Sequence, residues 1–441
     1  MTASLNSVRE RIQRQKMMLP EMYGDIDFSI VPERFTDDVA ISSMASYRHR
    51  FPPPPQEMVD RVKAYAMLGD VAADAYAALM PRYGFRRLID MLTTACDLGV
   101  GAVADAPAEL VALIREMETE PDWLDMKLVR EGARLNRLPT AIAAPWMVRG
   151  AFIATFLNKY SALPMALTGT LSHSTAAKRV NETSAFFAVT TLPGALEPRG
   201  EGFKAAAMVR LMHSMVRYNV LRRLKAWDVS VYGVPIPQVD QMPAGLIGVF
   251  LLAYRMIGEG RTEFTPAERA EVEFSRYRCF LLGLPEDLLA DTPQGIVDIM
   301  NARNGTLREG FDDATCGALI RATLSAYLPP DRSLSNRLFS ALERRFSRIV
   351  FIQQFLGGDR RLAQTMGVSV SGLDYMAALL IGAGIGFKSA VYRAALSSPA
   401  LRGFADRRLV RNIRRLLKRY GHAEFTTNAE EYRPAVAARP V

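Results

Sequence analysis

The chain has 441 residues, of which 49% are apolar and 23% charged, the balance of a folded globular protein and not of a disordered one. Three scattered cysteines, Cys96, Cys279 and Cys316, form no CxxC pair and no even set, which excludes a disulfide framework and a cysteine-built zinc site. The formal surplus of +9 suits an acidic partner or an anionic surface only if the cations cluster.

The amino terminus, MTASLNSVRERIQRQKMMLPEMYGD, has basic residues with no apolar run behind them. No secretory signal is visible, so a cytoplasmic location is the expectation. An amino-terminal arm, 1–50, leads to the polyproline FPPPPQ at 51–56, which cannot continue a helix. Beyond it, apolar residues recur at mixed three and four spacing over 57–104, 107–117, 201–226, 243–258, 266–282 and 333–356, which predicts helices. Alternating β-type runs are almost absent, so the fold class is all-α. Asp122 before Trp123, and Thr265 before Pro266 and Glu268, mark helix starts. The helical core, 51–330, closes at Tyr327-Leu328-Pro329-Pro330, a helical carboxy-terminal region follows over 331–425, and 426–441 is a polar tail expected to be loose. The apolar runs near 242–257 and 375–387 are shorter than the ~20 residues of a spanning helix, so none is expected. The glycines of LLIGAGIGF, 379–387, lack the strand context of a nucleotide loop and predict close helix packing.

Four histidines occur, at 49, 173, 213 and 422. His213 lies in MVRLMHSMVRYNVL, 208–221, on the stripe drawn by residues 205, 209, 212, 216 and 220, with Arg210 and Arg217 on the adjoining face. No His, Cys or acid stands at i+4, which excludes HExxH chemistry on this helix. A hydrogen-bonded core histidine and the single ligand of a haem iron both fit the pattern. Upstream, Arg179 and Thr183 of AKRVNETSAFFAV are four apart and share a helix face. They offer a guanidinium fork and a hydroxyl, or are surface residues without a role. Between them Glu182 reads as an exposed helical residue or an acid–base group. His173 reads as a loop residue or a distal group of the same pocket; His49 and His422 read as surface. The segment 405–420, ADRRLVRNIRRLLKRY, sets Arg407, Arg408, Arg411, Arg414, Arg415, Lys418 and Arg419 opposite a leucine-rich face. It suits either a solvated outer helix packing its leucines inward or a helix lying on an anionic membrane. No nucleic-acid-binding signature is present.

Several segments occur together in order: PDW at 121–123, WMVRGAFIATFLNKY at 146–160, TG at 168–169, the Arg179-x-x-x-Thr183 pair, VRLMHSMVR at 209–217, YGVPIPQVDQMPAGLIGVF at 232–250 and TPAERAEVEFSRYRCFLLGLPEDLL at 265–289. Over 120–290 the chain resembles the MpaB-type and rubber-cleaving oxygenases, the latter called latex-clearing proteins. The resemblance implies a helical bundle with a globin-like haem-binding core and extra terminal helices. It implies haem b held by His213 as the axial iron ligand, with Arg179, Thr183 and Arg217 as cofactor-side residues and Arg179 and Thr183 also serving catalysis. It further implies O2-dependent oxidation or cleavage of a carbon–carbon double bond. Rubber-cleaving members have a lysine where this chain has Glu182, and an upstream acid where LNKYSALPMALTGT has neither Asp nor Glu. The expectation is therefore a cytoplasmic haem b oxygenase closer to the MpaB type. Its substrate would be small, apolar and unsaturated, isoprenoid-like or lipid, in a pocket lined by Phe152, Phe156, Phe186 and Phe187. The alternative is a haem-free helical protein that binds a membrane or a partner through 405–420.

Overall fold

The structure is a computed structural model and describes residues 5–37, 54–167, 175–223 and 227–421. The helices of six or more residues are, in chain order, α1 (Leu5–Met18), α2 (Gln56–Tyr65), α3 (Val71–Ala77), α4 (Phe85–Leu98), α5 (Ala108–Glu118), α6 (Met126–Ile142), α7 (Ala144–Ala154), α8 (Lys159–Leu167), α9 (Ala176–Val189), α10 (Glu201–Arg223), α11 (Met242–Gly258), α12 (Pro266–Leu281), α13 (Pro293–Thr306), α14 (Ala318–Ser325), α15 (Leu334–Phe355), α16 (Arg360–Thr365), α17 (Gly372–Ser397) and α18 (Pro399–Tyr420). Among the described residues the only β pairing is one isolated antiparallel bridge, Phe35 with Leu307. The all-α expectation holds. The 57–104 stretch is not one helix: it breaks into α2, α3, a four-residue turn of helix and α4, with Gly84 at φ +77 making the last break. Thr265 and Glu268 form a capping box that starts α12. The start expected at Asp122 falls later, because the Asp125 carboxylate accepts the amides of Lys127 and Leu128 at 2.8 and 3.3 Å and starts α6.

The chain forms two compact units, Met1–Gly132 with Leu196–Gly310 and Ala133–Ala195 with Phe311–Val441. The first unit is built around α10. Phe203, Ala206, Ala207, Leu211, Met215 and Val220 of this helix are at most 1% exposed, and Ser214 and Arg217 on other sides are fully buried. A helix covered over most of its circumference is a core helix, which widens the single stripe read from sequence. On α1, Gln15 ties the amino-terminal segment into this unit. Its amide donates to the Met67 carbonyl at 3.1 Å and its side-chain oxygen accepts from Gly69 N at 2.7 Å.

In the second unit α7 lies against α15. Arg149 and Glu343 are both fully buried and paired at 2.8 Å, and the Ser347 hydroxyl donates to the Trp146 carbonyl at 2.9 Å. Gly150 permits the close approach: a Cβ there would meet the Ser347 carbonyl at 2.6 Å. Phe152, Ile153 and Phe156 join Ala176, Val180, Ile320, Phe351 and Ile352 in the apolar core. Helix α18 buries Ala405, Leu409 and Ile413, and Ile413 packs with Ala188, Leu192 and Ala195, so the inward leucine-rich face expected of 405–420 is present.

Candidate functional site

Between Ala205 and Val220 on α10, every residue is buried except Val209 and His213, which are partly exposed. They stand one turn apart and so open one window in an otherwise covered helix, with Met212 and Val216 beside it. His213 is partly exposed there, and Val209, Met212 and Val216 are its apolar neighbours along the helix face.

Two buried ion pairs fix the helix that carries this window. The Arg210 guanidinium donates to both oxygens of Asp70 at 2.7 Å and to Glu116 at 2.5 Å. Seven residues on, Arg217 donates to Asp74, to the carbonyl of Pro235 at 2.9 Å and to the carbonyl of Ile236. The Asp74 carboxylate also accepts the Tyr23 hydroxyl at 2.6 Å. Asp70 caps α3 and Asp74 lies one turn along it, so two arginines on α10 meet two carboxylates on α3. Burial alone would raise the Asp70 carboxyl, but Arg210 outweighs it and holds that group below its ordinary range. Burial wins at Asp74, which is pushed up against the pull of Arg217. Gly69 makes room for the cluster: a Cβ there would lie 2.5 Å from both the Asp74 carboxylate and the Tyr23 hydroxyl.

The YGVPIPQVD segment is a strap over the same cluster. Val234 N donates to the Ala66 carbonyl at 3.0 Å and Gln238 N to the Leu68 carbonyl at 3.3 Å. Ile236 holds φ +47, a conformation that a β-branched residue rarely adopts, and its carbonyl faces Arg217. Asp240 ends the strap. It accepts from Arg34 at 2.6 Å and from Arg303 at 2.9 Å, and these cations outweigh its burial and lower its carboxyl. The PDW and 265–289 segments also meet: Trp123 donates to Glu286 at 3.0 Å and stacks under the Arg276 guanidinium, 4.1 Å from the ring centre.

In the second unit, Arg179, Thr183 and Phe187 follow one another at single-turn spacing on α9, and each is partly exposed. Arg179 donates to Glu182 at 2.7 Å. Glu182 is only 8% exposed, which corrects the reading of it as an exposed helical residue. Phe156 is fully buried and Phe152 nearly so, packed edge to face at 5.3 Å inside the core cluster; Phe186 is buried and stands edge to face with Phe187 at 5.3 Å. His49, His173, His422 and the TG at 168–169 lie outside the described residues.

The expected group, haem, can be tested against this donor chemistry. Among the described residues no three His, Cys, Asp or Glu side chains group so as to hold a metal ion. The single imidazole among the described residues, flanked along its helix by Val209, Met212 and Val216, suits an iron that brings its own nitrogen ligands, and does not suit a bare ion. His213 therefore fits the group. Asp70, Asp74, Tyr23, Arg34 and Arg303 are the residues that sequence reading missed. Their one signal was the Asp70-x-x-x-Asp74 spacing in GDVAADAY, a partner ridge for arginines on another helix.

No curated protein matches the chain. Among solved structures, one titled "Structure of Latex Clearing Protein LCP in the closed state" aligns with a TM-score of 0.57 and 17% identity, covering 80% of this chain and 91% of that one; the likeness is one of fold. Residues 140–419 match the family model described as ER-bound oxygenase mpaB/B'/Rubber oxygenase, catalytic domain, and with more than half its length inside that model the chain belongs to the mpaB/rubber oxygenase family.

Proposed function

We propose that this oxygenase depends on haem b and acts with O2 on a small apolar, unsaturated substrate of isoprenoid or lipid type. The observation that carries the reading is His213, one of two open positions along the buried middle of α10. When bound, haem supplies O2 activation for attack on a carbon–carbon double bond. The chain's own residues do the rest. His213 offers one imidazole nitrogen to the iron. Arg217 does not face the window: its guanidinium is engaged by Asp74, Pro235 and Ile236, so it is a positioning residue that keeps the His213 turn in register. Within the second unit Arg179 is paired with Glu182, and Thr183 carries a hydroxyl one turn along the same helix. Glu182, already paired with Arg179, neutralises part of that cation.

Support comes from the family, from the single-imidazole donor set and from the apolar neighbours of His213. The purified protein is expected to show a Soret band, and His213→Ala to abolish it while leaving the far-UV spectrum of a helical protein. A colourless protein from haem-supplemented cells would sink the reading. O2 uptake with an unsaturated isoprenoid, without added peroxide, is the matching activity.

A further inference from the structure

Helix α17 carries no charge between Asp374 and Lys388, yet little covers it. Leu373, Met376, Leu379, Leu380, Phe387 and Val391 are each more than half exposed. Most of them recur at three, four or seven residues and so form one face along the helix. As a helix the segment runs 26 residues, longer than the apolar run that marks it in sequence and long enough to cross a membrane; 11% of its apolar window is buried, against 44% for Gln238–Gly258. Leu401 and Phe404, on the first turns of α18, extend the exposed apolar surface. The other side of α17 is anchored. Asp374 is buried and accepts from Arg345 of α15 at 3.1 Å, and Ser389 is buried as well.

The cations cluster beside this face. Residues 372–420 hold ten lysines and arginines against two aspartates, a surplus of eight out of the chain's nine. Both aspartates are already paired, Asp374 with Arg345 and Asp406 with Arg137. Arg407, Arg408, Arg411 and Lys418 stand exposed.

We propose that α17 and α18 form a docking surface for an anionic lipid bilayer. The apolar face of α17 enters the boundary between headgroups and acyl chains, and the arginines of α18 meet lipid phosphates. An exposed apolar face beside a cationic helix is the pattern such a surface recognises. Charge decides against a second copy of this chain as the occupant, because two copies joined through this face would bring two cationic helices together. The anchored Asp374 side decides against a spanning helix, because it keeps α17 on α15 and leaves one face for lipid. The proposal rests on exposure and charge and is independent of the haem reading.

The test is co-sedimentation of the full chain with vesicles of phosphatidylcholine alone or mixed with phosphatidylglycerol. Binding is expected to the mixed vesicles, falling as salt rises. Leu380→Glu with Phe387→Glu is expected to abolish it. Arg407→Glu, Arg408→Glu and Arg411→Glu together are expected to weaken it roughly a hundredfold or more. All five side chains are exposed, so an unchanged melting temperature and far-UV spectrum separate lost docking from lost fold. Failure of the wild-type chain to sediment with the mixed vesicles would overturn the proposal. So would a lipid-free dimer in analytical ultracentrifugation that Leu380→Glu and Phe387→Glu disrupt, or binding that emerges only after removal of residues 422–441.

Discussion

Helices α10 and α17 invert the usual relation between composition and burial. The first carries six charged residues in 23 and is the covered centre of its unit; the second carries three in 26 and stands largely open. Partners explain the difference. Each arginine in the middle of α10 has a carboxylate aimed at it from α3, so its charge is neutralised and its donors are satisfied inside the protein. The apolar face of α17 is left exposed, with Leu379, Leu380 and Phe387 each more than two thirds open. Burial here follows from what a side chain meets and not from its polarity alone.

The most severe way to break the comparison is to leave one buried charge unpaired. Arg217→Met removes the cation that, among the described residues, hydrogen-bonds the fully buried Asp74, and it frees the strap carbonyls of Pro235 and Ile236. A loss of about 3–5 kcal/mol in urea unfolding is expected. Adding Asp74→Leu to the same chain should recover much of that, leaving the Tyr23 hydroxyl to find a new acceptor. A single variant within about 1 kcal/mol of wild type would show that the clamp does not hold α10.

Acid acts on the same cluster more mildly, and its sign differs by residue. The carboxyls of Asp70 and Asp240 are lowered in the folded state. Their contribution is therefore present above the ordinary carboxylate value of about 4 and is lost as pH falls through their lower folded values. Asp74 is raised, so its contribution runs the other way and is lost as pH rises through its folded value. Melting temperatures followed from about pH 2 to pH 6 should show Asp240→Asn losing part of the acid sensitivity and Asp74→Asn losing part of the decline on the upper side. Parallel curves for wild type and both variants would break the assignment.

Helix spacing made the all-α class and most helix positions legible in the sequence, because the period of apolar residues survives whatever the helix packs against. His213 was legible as a candidate for the same reason. The ionic core was not, because Arg210 and Arg217 read only as flanking His213, nothing in the sequence pairs them with Asp70 and Asp74, and only the fold brings the four together. Glu182 was misjudged similarly: a helical glutamate three residues from an arginine is ordinary on a surface, and here the pair is drawn inward. The glycines at 382, 384 and 386 read as a sign of close helix packing, but an added Cβ at any of them meets nothing within 4 Å.

Those glycines supply the smallest and sharpest contrast. At Gly150, on the packed α7, an alanine would drive its Cβ to 2.6 Å from the Ser347 carbonyl, and backbone cannot yield as a flexible side chain can. Gly150→Ala should cost about 1–3 kcal/mol. At Gly384 the backbone is helical and the space is open, so the substitution adds no clash and removes the excess freedom of glycine in the unfolded chain. Gly384→Ala should raise stability by about 0.5–1 kcal/mol, read as a small upward shift in the urea midpoint. The added methyl also widens the apolar face without adding charge, so vesicle binding should hold or strengthen. A loss of stability at Gly384 as large as that at Gly150 would mean that α17 is covered in solution by something that packs against its backbone. The open and covered helices would then differ less than their surfaces say.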